Sequence, residues 1–356
     1  MKQTSSFHMT LTVMFTTCAA VANPLWAGNV HENATRPAET KRDLNVLFIG
    51  NSMTWFCNMP RTLAELAEKM DPPVRIHAVL SCQACQALSG HVKEGSPTRR
   101  AMAGEIEEQR MRMQAEAYFL ESAVKARPDD ILAKADLARL QGDLKALQGK
   151  PKWDVVVIQP WGGDDSKDPA AFAANVKTLQ EEIAKSSPGA RAIMYMDPTR
   201  RFDSVKQEKS VRAAMEAYRD LAGSNRVEVA PAALTGLLIN KERPEKWLKI
   251  RKLPDDAHHG LNGAYAVACT IFATIFDRSP EGLDVRRLEA HYQIRWPGIA
   301  WKQDAGGRKV KAEPHKKHMA YFDDGPVRML TDEDRLVIQA KAWLAVHEWK
   351  AFANAR

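Results

Sequence analysis

Two short stretches of the chain carry residue types able to act together chemically. In the first, Val46-Leu47-Phe48-Ile49-Gly50-Asn51-Ser52, an apolar run ends in a glycine, a polar turn residue and a serine. A serine just past a buried strand has its hydroxyl exposed and its backbone N–H turned toward a reacting centre. Alone, Gly50-Asn51-Ser52 is equally good turn chemistry. The second stretch is Pro254-Asp255-Asp256-Ala257-His258-His259-Gly260-Leu261-Asn262-Gly263-Ala264-Tyr265. An aspartate three residues ahead of a histidine can fold back within one loop and accept the imidazole Nδ1–H, leaving Nε2 to face a nucleophile. Serine needs such a base because its hydroxyl is a poor nucleophile at neutral pH. Asp255/His258 and Asp256/His259 both satisfy the spacing. The loop could equally cap a helix over 261–276 or contribute to a metal site.

Taken together, these stretches resemble the first and last motif blocks of the SGNH (GDSL-like) hydrolases, which read Gly-Asp-Ser-like and Asp-x-x-His. The likeness is closer to a bacterial exported subgroup whose first block is Phe-Ile-Gly-Asn-Ser. It runs thinly over 44–283 and again over 330–345. Gly263, five residues beyond His258, and Tyr265 continue as the last block usually does, which favours Asp255/His258 over Asp256/His259. The resemblance makes Ser52 the nucleophile, His258 the general base and Asp255 its orienter. Ala84-Cys85-Gln86-Ala87-Leu88-Ser89-Gly90-His91 resembles the subgroup's Gly-Gly-Ala-Ser-Leu-x-x-His with both glycines replaced. The backbone N–H groups of Ser52 and Cys85 would then serve the oxyanion hole, with strain at Cys85 if that position requires positive φ. In Val157-Ile158-Gln159-Pro160-Trp161, Gln159 stands where an amide donor is expected. Matching Gly162-Gly163-Asp164-Asp165 instead would put Asp164 at the donor position, and an ionised carboxylate cannot donate. His91 and Trp161 are candidate substrate contacts, a structural role being open for His91. The fold also implies a disulfide from Cys57 to Cys82 or Cys85. No metal or cofactor is implied.

The activity implied is hydrolysis of a short acyl ester, an O-acetyl group on a carbohydrate being the expected case. Trp55, Trp161, Trp296 and Trp301 could stack on sugar rings, although core packing is the commoner fate of tryptophan. The alternative is a catalytically degenerate carbohydrate- or partner-binding protein on the same fold. A lipase or thioesterase is disfavoured because no long apolar channel segment stands out.

These residues need elements to position them. Apolar runs at 44–49, 74–80, 153–158, 192–196 and 227–230 lack alternation, as strands buried on both faces do. Between them, 62–70, 169–185 and 205–222 show helical periodicity. That alternation predicts an α/β fold with a doubly wound, parallel five-stranded sheet, flavodoxin-like in order. Ligands in such sheets sit at the carboxyl ends of the strands, where Ser52 would emerge. Residues 98–149 read as an inserted helical hairpin broken at Arg127-Pro128-Asp129. In its second helix, Leu137, Leu140, Leu144 and Leu147 line one face, Asp129 or Asp130 caps the start and Gly149 closes the end. Thr331-Asp332-Glu333-Asp334 opens a final amphipathic helix reaching about Phe352.

With 356 residues, 45% of them hydrophobic, the chain can bury one large core. The net charge of +7 is spread along the chain with no dense basic block, so a nucleic-acid partner is not expected. Lys2 followed by the charge-free run 9–21 and small residues at Ala20-Val21-Ala22 and Ala27 reads as a signal peptide over 1–27. A lead-in over 28–43 would then precede a hydrolase-like domain over 44–356. The apolar run is too short for a membrane span, so stable membrane insertion is not expected and the protein would be secreted or periplasmic. Of the five cysteines, Cys57, Cys82, Cys85 and Cys269 would remain, an even number in an oxidising compartment. Cys82-Gln83-Ala84-Cys85 lacks the following His of a haem site and any second CxxC for zinc. The partner is a small-molecule or glycan ester, and the oligomeric state is open.

Overall fold

The computed structural model describes residues 43–160, 168–197, 204–244, 258–291 and 327–355. Strand β1 (Asp43–Gly50) passes through a single helical turn, α1 (Ser52–Trp55), into α2 (Met59–Glu68) and β2 (Arg75–Cys82). Short helices α3 (Leu88–His91) and α4 (Pro97–Met102) precede a long pair, α5 (Glu107–Ala126) and α6 (Ile131–Ala146). There follow β3 (Val155–Ile158), α7 (Pro169–Ser186), β4 (Arg191–Tyr195), α8 (Ser204–Asn225), β5 (Glu228–Ala230) and α9 (Ala232–Glu242). The last described elements are α10 (Leu261–Phe276), β6 (Arg287–Glu289), β7 (Val327–Met329) and α11 (Asp332–Asn354).

The five principal strands form one parallel sheet in the order β2-β1-β3-β4-β5. Their lack of alternation has a direct cause. Val46, Phe48, Val155, Val157, Ile193 and Tyr195 pack on the α2/α10 face. Leu47, Ile49, Val156, Ile158 and Met194 pack under α4, α7 and α8 on the other. Each such side chain buried contributes about 1.5–3 kcal/mol, so neither face tolerates a polar residue cheaply. All five expected strands are present, with ends displaced by a residue or two. The small antiparallel pair β6–β7 was not expected. Helix α11 starts as the sequence implies: Thr331 Oγ1 accepts from Asp334 N at 3.0 Å, with three acidic residues in the first turn.

The stretch between β2 and β3 departs from a plain two-helix hairpin. Its first helix is split into α4 and α5 at Gly104, whose φ of +77° and close approach to the Pro151 carbonyl (2.8 Å from a would-be Cβ) suit only glycine. Asp130 caps α6 by accepting from Ala133 N at 3.0 Å. The α5–α6 pair lies along β2, the edge of the sheet, and is tied there by charge. Arg139 grips Glu68 of α2 at 2.8 and 3.1 Å, Asp136 meets Arg61 at 2.6 Å, and Asp143 meets His77 of β2 at 2.9 Å. Burial raises the Asp143 carboxyl above the usual range, and its bond to His77 pulls it back. Covering β2 in this way shields an edge that would otherwise offer unpaired backbone groups.

Candidate active site

The sheet order places β1 between β2 and β3, so the chain leaves β1 toward one side and later crosses to the other. The crevice at the carboxyl ends of β1 and β3 is therefore the topological switch point, where α/β sheets bind ligands. Ser52 opens α1 there, half-buried. Asn51 holds the turn: its Oδ1 accepts from Met53 N at 3.0 Å, a cap typically worth ~1 kcal/mol. Its Nδ2 donates to the Gln86 carbonyl at 3.2 Å, fastening the turn to the next loop.

His258 meets the serine from the other side of the sequence, with Nε2 2.7 Å from Ser52 Oγ. Its ring stacks on Phe56, with centroids 4.6 Å apart and planes inclined by 23°. Such an aromatic contact adds about 0.5–1.5 kcal/mol and fixes the plane of the imidazole. Asp255 and Asp256 lie outside the described residues, so the carboxylate of the arrangement is not placed. His259 is buried and its Nδ1 has no hydrogen-bond partner among the described residues. Burial, aided by neighbouring His258, pushes its pKa down to about 3. The Asp256/His259 alternative thus has a histidine directed into the core, whereas His258 reaches the serine.

The loop expected to offer oxyanion donors is less regular. Cys85 is exposed and has φ +57°, so the position that resembles a glycine does take the left-handed conformation. A non-glycine residue there costs roughly 1–2 kcal/mol. Its loop is pinned to the end of β1 by Gln83 N donating to the Gly50 carbonyl at 3.1 Å.

The expectation for Gln159 is corrected. Its side chain is fully buried, with Oε1 accepting from Asn51 N at 2.9 Å and Thr54 Oγ1 at 3.2 Å, and Nε2 donating to Pro160 O at 2.6 Å. With both ends committed inside the protein, the amide braces the Gly50-Asn51-Ser52 turn and is not presented to the crevice. Gly50 is required by the same packing: a Cβ there would lie 2.8 Å from Gln159 Oε1 and 2.7 Å from Thr54 Oγ1. Thr54 also pairs with Tyr195 OH at 2.9 Å, completing a buried polar floor. Trp161, Gly162, Gly163, Asp164 and Asp165 fall outside the described residues.

His91 is likewise corrected from substrate contact to internal support. It is buried, with Nδ1 2.7 Å from Thr98 Oγ1, which in turn meets Ser81 Oγ at 2.9 Å. Burial pushes its pKa down to about 4, opposed by the nearby Gly50 carbonyl. The expected disulfide is absent too: Cys57 is not joined to Cys82 or Cys85. Cys57 Sγ donates to the His259 carbonyl at 3.1 Å instead, and burial pushes the Cys82 thiol up to about 12. Trp55 packs edge-on against His291. Trp296 and Trp301 are outside the described residues. No cluster of three or more metal-ligating side chains occurs among the described residues, and no described helix is long and apolar enough to cross a membrane.

Sequence reasoning missed Asn51 as the cap, Phe56 as the imidazole platform and the Thr54–Tyr195 floor. The cap was recoverable, since Asn before a helical serine turn is a known signal. Thr54 and Tyr195 are 141 positions apart and carry no local signature.

No protein-family profile matches the chain, and no curated protein sequence matches it. Among solved structures, a candidate SGNH hydrolase from Slackia heliotrinireducens is 22% identical, with 65% of this chain and 99% of that one covered and a TM-score of 0.39. A DUF4886 family protein from Bacteroides uniformis is 13% identical over 86% and 95%, with a TM-score of 0.48. A gut microbial diltiazem-metabolizing enzyme is 13% identical over 67% and 47%, with a TM-score of 0.35. At such distances function has to be read from the site.

Proposed function

We propose that the chain is a serine ester hydrolase of SGNH type. The observation that carries this reading is the 2.7 Å contact between His258 Nε2 and Ser52 Oγ at the carboxyl end of β1. In the reaction, Ser52 Oγ attacks the ester carbonyl carbon as its proton passes to His258 Nε2. The oxygen that gains charge is met by the backbone N–H groups of Ser52 and Cys85. His258 then returns the proton to the departing alcohol, leaving an acyl-enzyme. Water, deprotonated by the same Nε2, releases the acid and restores the serine. Asp255, three residues before His258, is the proposed orienter of the ring. The signal-like sequence of residues 1–27 and the resemblance of the two motif blocks to SGNH hydrolases support short acyl esters, O-acetyl groups on a carbohydrate in particular, as substrates of a secreted or periplasmic enzyme.

The test is turnover of a chromogenic acetyl ester by the purified protein, with labelling of Ser52 by a fluorophosphonate and acetate release from a panel of acetylated glycans. Labelling and turnover that both disappear in Ser52→Ala support the reading, and a wild-type protein that neither turns over nor labels overturns it. A silent binding protein is the second reading, favoured by the non-glycine Cys85 at positive φ and by the internally committed Gln159.

A further inference from the structure

A cavity of about 630 Å³ lies between β2, α2 and the α5–α6 pair. Ser52, Cys85 and His258 do not line it, but Trp55, three residues after Ser52, and Gln83 and Ala84, just before Cys85, contribute to its wall. From there it follows one face of β2. Cys82, Leu80, Ala78 and Ile76, alternate residues of the strand, all line it, a run of roughly 20 Å at strand spacing. Met113, Leu120 and Leu140 face them from α5 and α6. An acetyl group would occupy a small part of this space, which falls in the size range of small-molecule sites.

The charges around the cavity already answer one another. Arg61 is paired with Asp136 at 2.6 Å, Arg139 with Glu68 at 2.8 Å and Asp143 with His77 at 2.9 Å. An ionic ligand would have to displace one of these contacts, so the interior favours an uncharged guest. Among the described residues, one buried side-chain atom on this lining is left without a partner. Gln109, only 3% exposed, lines the cavity, and its Oε1 has no hydrogen-bond partner among the described residues. A buried acceptor without a donor is costly, and a ligand that supplies the donor recovers that cost.

We propose that this cavity is a binding site for an uncharged, largely apolar substituent of the substrate that carries one hydrogen-bond donor for Gln109. The inference rests on the esterase reading for its role in catalysis, but not for binding itself. The inserted helices thereby supply substrate selectivity as well as covering the sheet edge. The substituent is either the acyl chain or the alcohol of the ester, and kinetics separates the two.

The experiment uses the full chain, Ser52→Ala, and Ala78→Trp, which fills the cavity from the strand. Binding is read by the fluorescence of N-phenyl-1-naphthylamine, an uncharged apolar dye with a single N–H donor. Turnover is read on 4-nitrophenyl esters from acetate to octanoate and on acetates of small and bulky alcohols. Thermal melting checks that each variant is folded. We expect wild type and Ser52→Ala to bind the dye alike and Ala78→Trp to bind it at least 10-fold more weakly. Ala78→Trp should also lose at least 10-fold in kcat/KM on the longer acyl or the bulkier alcohol series while keeping 4-nitrophenyl acetate turnover. The series that suffers identifies the substituent. If Ala78→Trp does not fold, Gln109→Leu takes its place: it should favour purely apolar substituents over hydroxyl-bearing ones of equal size, relative to wild type. Unchanged dye binding and unchanged selectivity in the folded variant overturn the cavity's role while leaving the esterase intact. Loss of dye binding in Ala78→Trp beside a wild type inactive on every ester retains the site and overturns the esterase reading.

Discussion

The two sides of the proposed reacting centre are built differently. On the attacking side, Ser52 and His258 come from stretches about 200 residues apart, meet at 2.7 Å and are each held by a nearby partner, Asn51 for the turn and Phe56 for the ring. On the oxyanion side, the position that resembles glycine is Cys85 at φ +57°, and Gln159 spends its amide on Asn51, Thr54 and Pro160. The difference has a chemical cause. A nucleophile and a base are particular side chains, so their replacement ends the reaction. A backbone N–H is present in every residue but proline, so the loop that offers it tolerates substitution as long as its path survives.

The comparison is tested most severely at Ser52. Ser52→Ala should lower kcat/KM on a 4-nitrophenyl ester by a factor on the order of 10⁴ or more while melting within a few degrees of wild type. Substantial residual turnover in a folded variant would move the nucleophile elsewhere.

His91 probes the support beneath the oxyanion loop. Its folded pKa is held down to about 4, against roughly 6.5 in an unfolded chain. Between those values the unfolded state binds more protons, so stability is fully present above about pH 6.5 and is lost as pH falls toward 4, by on the order of 3 kcal/mol. His91→Gln should flatten the stability profile in that window, measured by urea unfolding at fixed pH values. An identical slope in both proteins would remove His91 from the acid response.

Gln159→Ala should act through the fold. It leaves Asn51 N without its acceptor in a buried place, at a cost of roughly 1–3 kcal/mol. We expect a lower melting temperature together with lower kcat. A kcat loss of roughly 100-fold with an unchanged melting temperature would instead make Gln159 an oxyanion donor and erase the contrast between the two sides.

The smallest effect is expected at Cys85. Cys85→Gly relieves left-handed strain of roughly 1–2 kcal/mol but loosens the unfolded chain by about 0.5–1, for a net gain of roughly 0–1.5 kcal/mol. Activity should be retained, because the backbone N–H remains. Cys85→Val, β-branched at positive φ, should be destabilised relative to wild type, and both variants are compared by thermal melting. A Cys85→Gly enzyme without activity would mean that the thiol itself takes part.

Much of this protein was decided locally. The uninterrupted apolar runs fixed five buried strands because a strand covered on both faces has no polar side to show. Asp130 and Thr331 set their helix starts through bonds that span three residues. The Gly50-Asn51-Ser52 turn and the 255–258 spacing singled out Ser52 and His258 as candidates, because nucleophilic chemistry is confined to a few side chains, and the two meet at 2.7 Å. Tertiary structure alone decided which of two adjacent histidines faces the serine, since His258 and His259 differ in burial and not in type. It also decided that Gln159 and His91 turn inward, that Cys57 is not joined to Cys82 or Cys85, and that the inserted helices lie along β2 with a cavity beneath them. Each of these depends on contacts between residues far apart in the chain, for which neighbouring sequence carries no period and no spacing.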